Sequence, residues 1–193
     1  MQNAQTLQSD SMILGRQGTL AQALWIAGFA IATAVGARVE IPHQPVPYTL
    51  QTFFVLLAGA LLGKRNGAVS QFLYLSMGLV GLPVFSAGGF GLAKILGPTG
   101  GYLLSFPVAS FVVGYLVESR KEFLWALVSM FVGAAVIFSL GTVQLYFVVY
   151  RDWQLALTNG FLIFSWWDVV KVAAAAGIYS QLAGKINSTA STD

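Results

Sequence analysis

Two charged residues within a long apolar stretch are the part of this sequence best suited to chemistry. Asp168 and Lys171 are the only Asp, Glu, Lys or Arg residues in positions 153–184. On a helix, a spacing of three residues places them about 60° apart on one face. A charged group in the middle of a membrane costs about 2.5–3.5 kcal/mol on insertion scales, so such groups are usually paired, turned inward and functional.

This pair has two interpretations. One is an ion pair that only neutralises itself, but apolar packing would fill that role without removing two charges from water. The other, which we favour, is a site for a polar ligand that needs both an acceptor and a cation. An apolar pocket with a few polar groups is typical of small-molecule sites. The aromatic and polar residues that could complete it are Tyr48, Gln51, Phe85, Ser86, Phe90, Tyr102, Trp166 and Trp167.

Other chemistry lacks the residues that it requires. The chain has no cysteine, and its one histidine, His43, lies in a proline-rich loop. Gly59 and Gly63 are separated by three residues where a phosphate-binding loop needs four, and Arg65 stands where that loop needs Ser or Thr. We therefore expect no enzymatic activity, no metal and no cofactor, and any use of ATP must come through a partner.

The composition indicates which elements hold the pair. Of 193 residues, 56% are hydrophobic and 9% are charged, against about 25% charged in an ordinary soluble domain. Stretches without charged residues each exceed the length of about 20 residues that a spanning helix needs. We predict an all-α integral membrane protein, one membrane domain over residues 1–193. Its six transmembrane helices are predicted at about 20–37, 49–62, 67–82, 100–117, 123–149 and 161–184.

The basic residues predict the orientation in the membrane. Outside the predicted helices, one side collects Arg16, Lys64, Arg65, Arg120, Lys121 and Lys185, and the other has Arg38, Lys94 and Arg151. By the positive-inside rule both termini are cytoplasmic, and the irregular loops 38–48 and 83–99 face outward. We expect a multi-pass protein of a bacterial cytoplasmic membrane, surrounded by lipid, with no nucleic acid partner because its basic residues are scattered.

A ladder of small residues marks the first predicted helix. Ala23 and Ala27, and likewise Ala30 and Ala34, are four apart and lie on one face, where helix backbones can approach closely. The ladder predicts either packing within the bundle or a docking face for another membrane subunit.

Four segments of the chain closely resemble the BioY family. They are residues 51–63 (QTFFVLLAGALLG), 74–85 (YLSMGLVGLPVF), 97–102 (GPTGGY) and 168–171 (DVVK). BioY is the biotin-binding, substrate-specific (S) component of energy-coupling factor (ECF) transporters. The resemblance implies a six-helix protein that captures biotin from outside. It also implies three partners, which are a transmembrane coupling subunit and two ATPase subunits. One departure is that Trp166 and Trp167 precede the Asp, where the family is expected to have small residues or proline.

The resemblance assigns roles to individual residues. Asp168 and Lys171 become substrate-binding residues, and the family-like loops add Gln51, Phe85, Ser86, Gly89 and Tyr102. Biotin has a ureido ring with two N–H donors and a carbonyl, and a chain that ends in a carboxylate. Asp168 is expected to accept from the ureido N–H groups while Lys171 engages the carboxylate. The reverse pairing, with Lys171 on the ureido oxygen, stays open.

Two alternatives to biotin uptake remain at this point. One is an S component for another vitamin, such as thiamine, riboflavin or pantothenate. The other is a membrane-embedded enzyme or a channel, although an enzyme is expected to carry more than two ionisable groups within the membrane.

Overall fold

Helices form most of the chain. The structure, a computed structural model, describes residues 18–120, 122–163 and 166–189. Seven α-helices and one two-stranded antiparallel ribbon occur within this described part. In chain order they are α1 (Thr19–Gly36), β1 (Glu40–Ile41), β2 (Tyr48–Thr49), α2 (Gln51–Leu79), α3 (Gly91–Leu96), α4 (Gly100–Val117), α5 (Phe123–Leu145), α6 (Trp153–Ala156) and α7 (Trp166–Thr189). A 3-10 turn covers Ser86–Gly88, and π-helical turns cover Tyr146–Tyr150 and Leu157–Phe161.

Helix α2 reverses its direction at Gly63. This glycine has φ 79° and ψ 172°, which is not helical backbone. A Cβ built on Gly67 would lie 2.8 Å from the Cα of Gly59, whereas residues eight apart in a continuous helix are about 12 Å apart. The two halves of α2 therefore pack against each other as a hairpin, and the break separates the stretches that the sequence predicts as 49–62 and 67–82.

The length and apolar composition of several helices are those of membrane-spanning segments. Three helical segments of the described chain are long and apolar enough to cross a membrane: Thr19–Gly36, Gly100–Val117 and Phe123–Tyr150. A bent pair, Trp153–Phe161 with Trp166–Ala183, makes a fourth if it counts as one span. The predicted count of six is therefore not confirmed. Each half of α2 is shorter than the roughly 20 residues of a full crossing, because the break at Gly63 divides a helix of 29 residues.

The last predicted helix, 161–184, begins later than expected. Helix α7 begins at Trp166, and the chain before it forms the separate helix α6 and a π-helical turn that ends at Phe161. The carboxylate of Asp152 accepts a hydrogen bond of 2.9 Å from the N–H of Leu155, which caps and starts α6. The two pieces meet at an angle of 48°. Hydrophobicity alone does not reveal this bend, because both pieces are apolar.

Small residues allow α2, α4 and α5 to pack closely. A Cβ on Gly59 would collide with the backbone of Ser110, and one on Gly114 with the backbone of Lys64. Between α4 and α5, a Cβ on Gly133 would meet the Val113 side chain at 2.4 Å. Such contacts between small residues are how helices associate in lipid, where no hydrophobic effect drives them together.

Polar contacts separate the molecule into two ends. At one end the guanidinium of Arg38 donates to the carbonyl of Pro83, and the N–H of Ala87 donates to Glu40 Oε2 at 3.0 Å. These contacts join the irregular loops 38–48 and 83–99. At the other end, Lys64 Nζ lies 2.7 Å from Glu118 Oε2. The two loops that the sequence places on one side of the membrane therefore do meet.

Candidate binding site

Asp168 and Lys171 form a buried ion pair at the beginning of α7. Lys171 Nζ lies 2.6 Å from Asp168 Oδ1, and each side chain is 4% exposed. Asp168 is in the first turn of the helix, where the N–H end of the helix dipole favours a carboxylate. The spacing of three residues thus brings the two groups together as predicted. The helix begins at Trp166 and not near residue 161, so the pair lies closer to the first residue of the helix than predicted.

Lys171 also binds the start of α2. Its ammonium donates to the carbonyl of Thr49 at 2.9 Å and to Thr52 Oγ1 at 2.8 Å. A lysine ammonium has three N–H donors, so Asp168, Thr49 and Thr52 account for all of them. The pair therefore links two elements that are more than a hundred residues apart in the chain.

The β ribbon and a chain of side-chain hydrogen bonds fix the position of Thr49. In the ribbon, Glu40 pairs with Thr49 and Ile41 with Tyr48. Thr49 Oγ1 donates to Gln51 Oε1 at 2.9 Å, and Gln51 Nε2 donates to the hydroxyl of Tyr74. That hydroxyl in turn donates to the carbonyl of Val84 at 3.2 Å. These bonds extend from the ion pair to the loop 83–89.

A narrow cavity borders the ion pair. Its empty volume, counted together with its opening to solvent, is about 530 Å³. The walls combine apolar side chains with a few polar ones. The lining residues are Val46, Pro47, Tyr48, Thr49, Gln51, Thr52, Ser86, Thr99, Tyr102, Leu103, Phe106, Ile137, Phe138, Ile163, Asp168 and Lys171.

The structure brings most of the predicted polar residues into this wall. Gln51, Ser86 and Tyr102 line the cavity together with the ion pair. The hydroxyl of Tyr102, however, donates to the carbonyl of Gly160 at 2.8 Å. Tyr102 thus contributes its ring to the wall, while its hydroxyl holds the π-helical turn that precedes α7.

Of the residues assigned to substrate binding, Phe85 and Gly89 do not line the cavity. Phe85 is fully buried, and its ring packs edge-on against Tyr74 at 5.6 Å between centroids. It fills the space that a side chain at Gly78 would need. Gly89 lies in the same loop, where its N–H donates to the carbonyl of Ser86 at 3.0 Å. Both residues therefore shape the loop that carries Ser86.

Sequence reasoning missed Thr49, Thr52 and Thr99 as residues of the site. Thr52 adjoins Gln51, and Thr99 lies inside the GPTGGY segment, so proximity to predicted residues was the available signal. The interaction of Thr49 with Lys171 uses a backbone carbonyl, which side-chain chemistry does not reveal. Trp166, in contrast, is 74% exposed and is not among the lining residues.

The predicted docking ladder is only partly accessible. Ala23 is exposed and Ala27 half-buried. Ala30 is fully buried, and Ala34 packs against the hydrophobic core. Ala30 and Ala34 therefore lie on the side of α1 that packs against the rest of the molecule. Only Ala23 and Ala27 are open to a partner.

Comparison with known proteins decides the family. The sequence model of the BioY family matches residues 5–188. The chain belongs to the BioY family. The Thermotoga maritima biotin transporter BioY is 42% identical over 154 residues, which cover 80% of this chain and 90% of that protein. The probable biotin transporter BioY of Pyrococcus horikoshii is 40% identical over 159 residues, 82% of this chain and 94% of that protein.

A solved structure has the same fold. It is the 2.1 Å crystal structure of the S-component for biotin from an ECF-type ABC transporter, with a TM-score of 0.79 and 25% identity, and the match covers 94% of each chain. Membership in the BioY family, predicted from the four sequence segments, is thus confirmed.

Proposed function

We propose that this chain binds biotin in the cavity beside Asp168 and Lys171 and takes part in its uptake as the S component of an ECF transporter. The observation that carries the proposal is a buried ion pair in the wall of a cavity, in a chain of the BioY family. The Thermotoga maritima relative is a biotin transporter and the family is a transporter family, so the prediction that the chain is not an enzyme is confirmed.

Biotin matches the chemistry of the cavity. Its fused rings and hydrocarbon chain are apolar, as are Leu103, Phe106 and Ile137 in the wall. Its ureido group offers N–H donors for Asp168. Because the Asp168 and Lys171 side chains touch, they meet one end of the ligand. This contact favours the alternative in which Asp168 binds the ureido N–H groups and Lys171 lies at the ureido oxygen.

The topology and partners belong to the same proposal. We infer six crossings, with each half of α2 as a short one, both termini in the cytoplasm and the cavity open to the outside of a bacterial inner membrane. Clustering of Lys64, Arg65 and Arg120 at the end opposite the cavity supports this orientation. ATP would act only through partners, which we take to be a coupling subunit and two ATPase subunits. Ala23 and Ala27 would lie on the docking face.

Direct titration tests the proposal. The purified chain in detergent or nanodiscs is titrated calorimetrically with biotin, thiamine, riboflavin and pantothenate. We expect saturable binding of biotin alone, at one site per chain, and its loss in Lys171→Ala, because that change removes the ammonium that neutralises the buried Asp168 carboxylate. The matched control is Lys94→Ala, a lysine of α3 at the same end of the molecule but outside the cavity wall. Folded protein that binds another vitamin instead of biotin would contradict the substrate assignment.

A further inference from the structure

A groove runs between α4 and α5, two helices that are long and apolar enough to cross a membrane. Its empty volume, counted together with its opening, is about 700 Å³. Backbone forms part of the floor, because a Cβ on Gly101 would lie 2.5 Å from the carbonyl oxygen of Leu140 and 3.1 Å from the Cα of Gly141. The lining residues of this α4–α5 groove are Gly101, Leu104, Leu140, Val143, Gln144 and Phe147.

The groove follows the helix axis toward the end of the span Phe123–Tyr150. Leu140, Val143 and Phe147 are exposed, and their spacing of three and four residues places them on one face. Seven residues of helix cover about 10 Å. Gln144 turns its amide N–H groups into the fold, onto two backbone carbonyls before α4 at 2.8 and 2.7 Å. The groove is therefore an elongated, mainly apolar surface that suits a hydrocarbon chain.

A cation stands at one end of this groove. Arg151 directly follows the span Phe123–Tyr150, and its guanidinium carbon lies 6.0 Å from the centroid of the Phe147 ring, which is part of the groove wall. The ring of Tyr146 meets Phe147 edge-on and stacks on Trp153 with 4.0 Å between centroids. Tyr and Trp are enriched where a membrane meets water. Arg151 thus lies at the level of the lipid headgroups.

The backbone at Arg151 is unfavourable for an arginine. Its φ of 53° and ψ of 17° are left-handed, a conformation that costs a residue with a side chain about 1–2 kcal/mol. Glycine or asparagine would adopt this turn more readily. The neighbouring Asp152 has a structural role, because its carboxylate accepts a hydrogen bond from the N–H of Leu155. An arginine in this turn calls for a reason other than the turn itself, and a ligand of its guanidinium supplies one.

We propose that the α4–α5 groove holds one acyl chain of an anionic phospholipid whose phosphate is bound by the guanidinium of Arg151. Charge complementarity supports this occupant, since a guanidinium binds phosphate oxygens through two parallel N–H donors. Lipid surrounds the helices in any case, so exchange of one chain for another in the groove gains no hydrophobic free energy. Selectivity for this lipid therefore depends on the headgroup. The inference does not depend on which ligand the cavity beside Asp168 binds.

Native mass spectrometry of the purified chain in detergent counts the lipids bound to each molecule. Phosphatidylglycerol and phosphatidylethanolamine with the same acyl chains are titrated separately, because the first carries a net negative charge and the second carries none. Arg151→Asn removes the guanidinium, and Val143→Phe fills the groove. The matched controls lie at the other end of α5. They are Arg120→Asn, whose guanidinium carbon is 5.2 Å from the centroid of the Trp125 ring, and Val128→Phe, at an exposed valine outside the groove lining.

The wild type should bind one phosphatidylglycerol about fivefold or more tightly than phosphatidylethanolamine, because of the charge-assisted bonds to Arg151. Arg151→Asn should reduce this difference to about twofold or less. Its Tm should equal or exceed that of the wild type, because asparagine accepts left-handed backbone. Val143→Phe should weaken the binding of both lipids about fivefold or more without a change in thermal unfolding. Both control variants should bind like the wild type.

Two results would overturn the headgroup site. They are equal binding of the two lipids by the wild type, and an undiminished preference for phosphatidylglycerol in Arg151→Asn. Unchanged lipid binding by Val143→Phe would overturn the groove as the site of the acyl chain. Equal weakening by Val128→Phe would overturn it as well, because a bulky residue anywhere on the lipid-facing surface would then have the same effect.

Discussion

Removing one member of the Asp168–Lys171 pair should destabilise the protein more than removing both. In Lys171→Met the Asp168 carboxylate stays in a site where the side chain is 4% exposed and loses its cation. Breaking a buried ion pair in this way costs about 3–5 kcal/mol. The same loss is expected for Asp168→Leu, which takes the anion from the ammonium and leaves it, within the described residues, the uncharged Thr49 carbonyl and Thr52 hydroxyl as acceptors.

The double variant Asp168→Leu with Lys171→Met should recover most of this loss. Replacing a buried pair by apolar side chains of similar size is often neutral or stabilising by about 1–4 kcal/mol. Against this, the Thr49 carbonyl loses its donor, which costs about 1–3 kcal/mol. The two terms offset each other, so the double variant should unfold within about 2 kcal/mol of the wild type. It should nevertheless fail to bind biotin.

Thermal unfolding in detergent, followed by tryptophan fluorescence at one heating rate, measures these differences. For a chain of about 190 residues, 1 kcal/mol shifts Tm by about 2–4 °C, so each single variant should lose about 6–20 °C. The control is Lys64→Met, which breaks the ion pair between Lys64 and Glu118. The side chains of this pair are 31% and 14% exposed, and a partly exposed pair contributes about 1 kcal/mol or less to stability. A double variant as unstable as the single ones, or one that binds biotin like the wild type, would refute the reasoning.

Two further substitutions test separate parts of the structure. Tyr102→Phe removes the hydroxyl that donates to the Gly160 carbonyl at 2.8 Å. This variant should lose about 0.5–1.5 kcal/mol of stability and keep its affinity for biotin within threefold of the wild type. A tenfold loss of affinity in titration would show instead that the hydroxyl reaches the ligand. Gly63→Ala places a side chain at φ 79° and should cost about 1–3 kcal/mol in thermal unfolding. Gly28→Ala, on the exposed side of α1 with open space around the new Cβ, is its control, and an unchanged Tm for Gly63→Ala would contradict the hairpin turn.

Patterns that depend on helical periodicity and charge predicted their part of the molecule well. The predicted helix 100–117 has the bounds of α4, and the predicted 123–149 corresponds to α5 with its π-helical extension. The i, i+3 spacing of Asp168 and Lys171 brings them into contact. These features depend on residues close in the sequence, so the sequence carries them directly.

Features that depend on distant backbone groups were not predictable in the same way. The cap at Asp152 begins a separate helix, which moves the start of the last helix from 161 to Trp166. Phe85 was expected at the ligand because it is aromatic, but the small residue at Gly78 gives it a place in the core. The carbonyl of Thr49 accepts from Lys171 across the fold. In each case the deciding partner is a backbone group or a gap between side chains, and neither has a signature in residue type.

The energetics of the site argue for a role beyond stability. A desolvated ion pair contributes less to folding than apolar packing of the same volume. The buried Thr99 hydroxyl, which has no hydrogen-bond partner within the described part of the chain, is a net cost. Both lie in the wall of one cavity, whereas the contacts between α2 and α4 rely on small residues such as Gly59 and Gly114. The ion pair and the Thr99 hydroxyl thus weaken the fold at a place where a ligand can use them, whereas the buried Ser110 hydroxyl, also without a partner among the described residues, lies outside the cavity wall. Since the N–H groups of a ureido ring can donate to Asp168, binding would return free energy that folding alone does not recover.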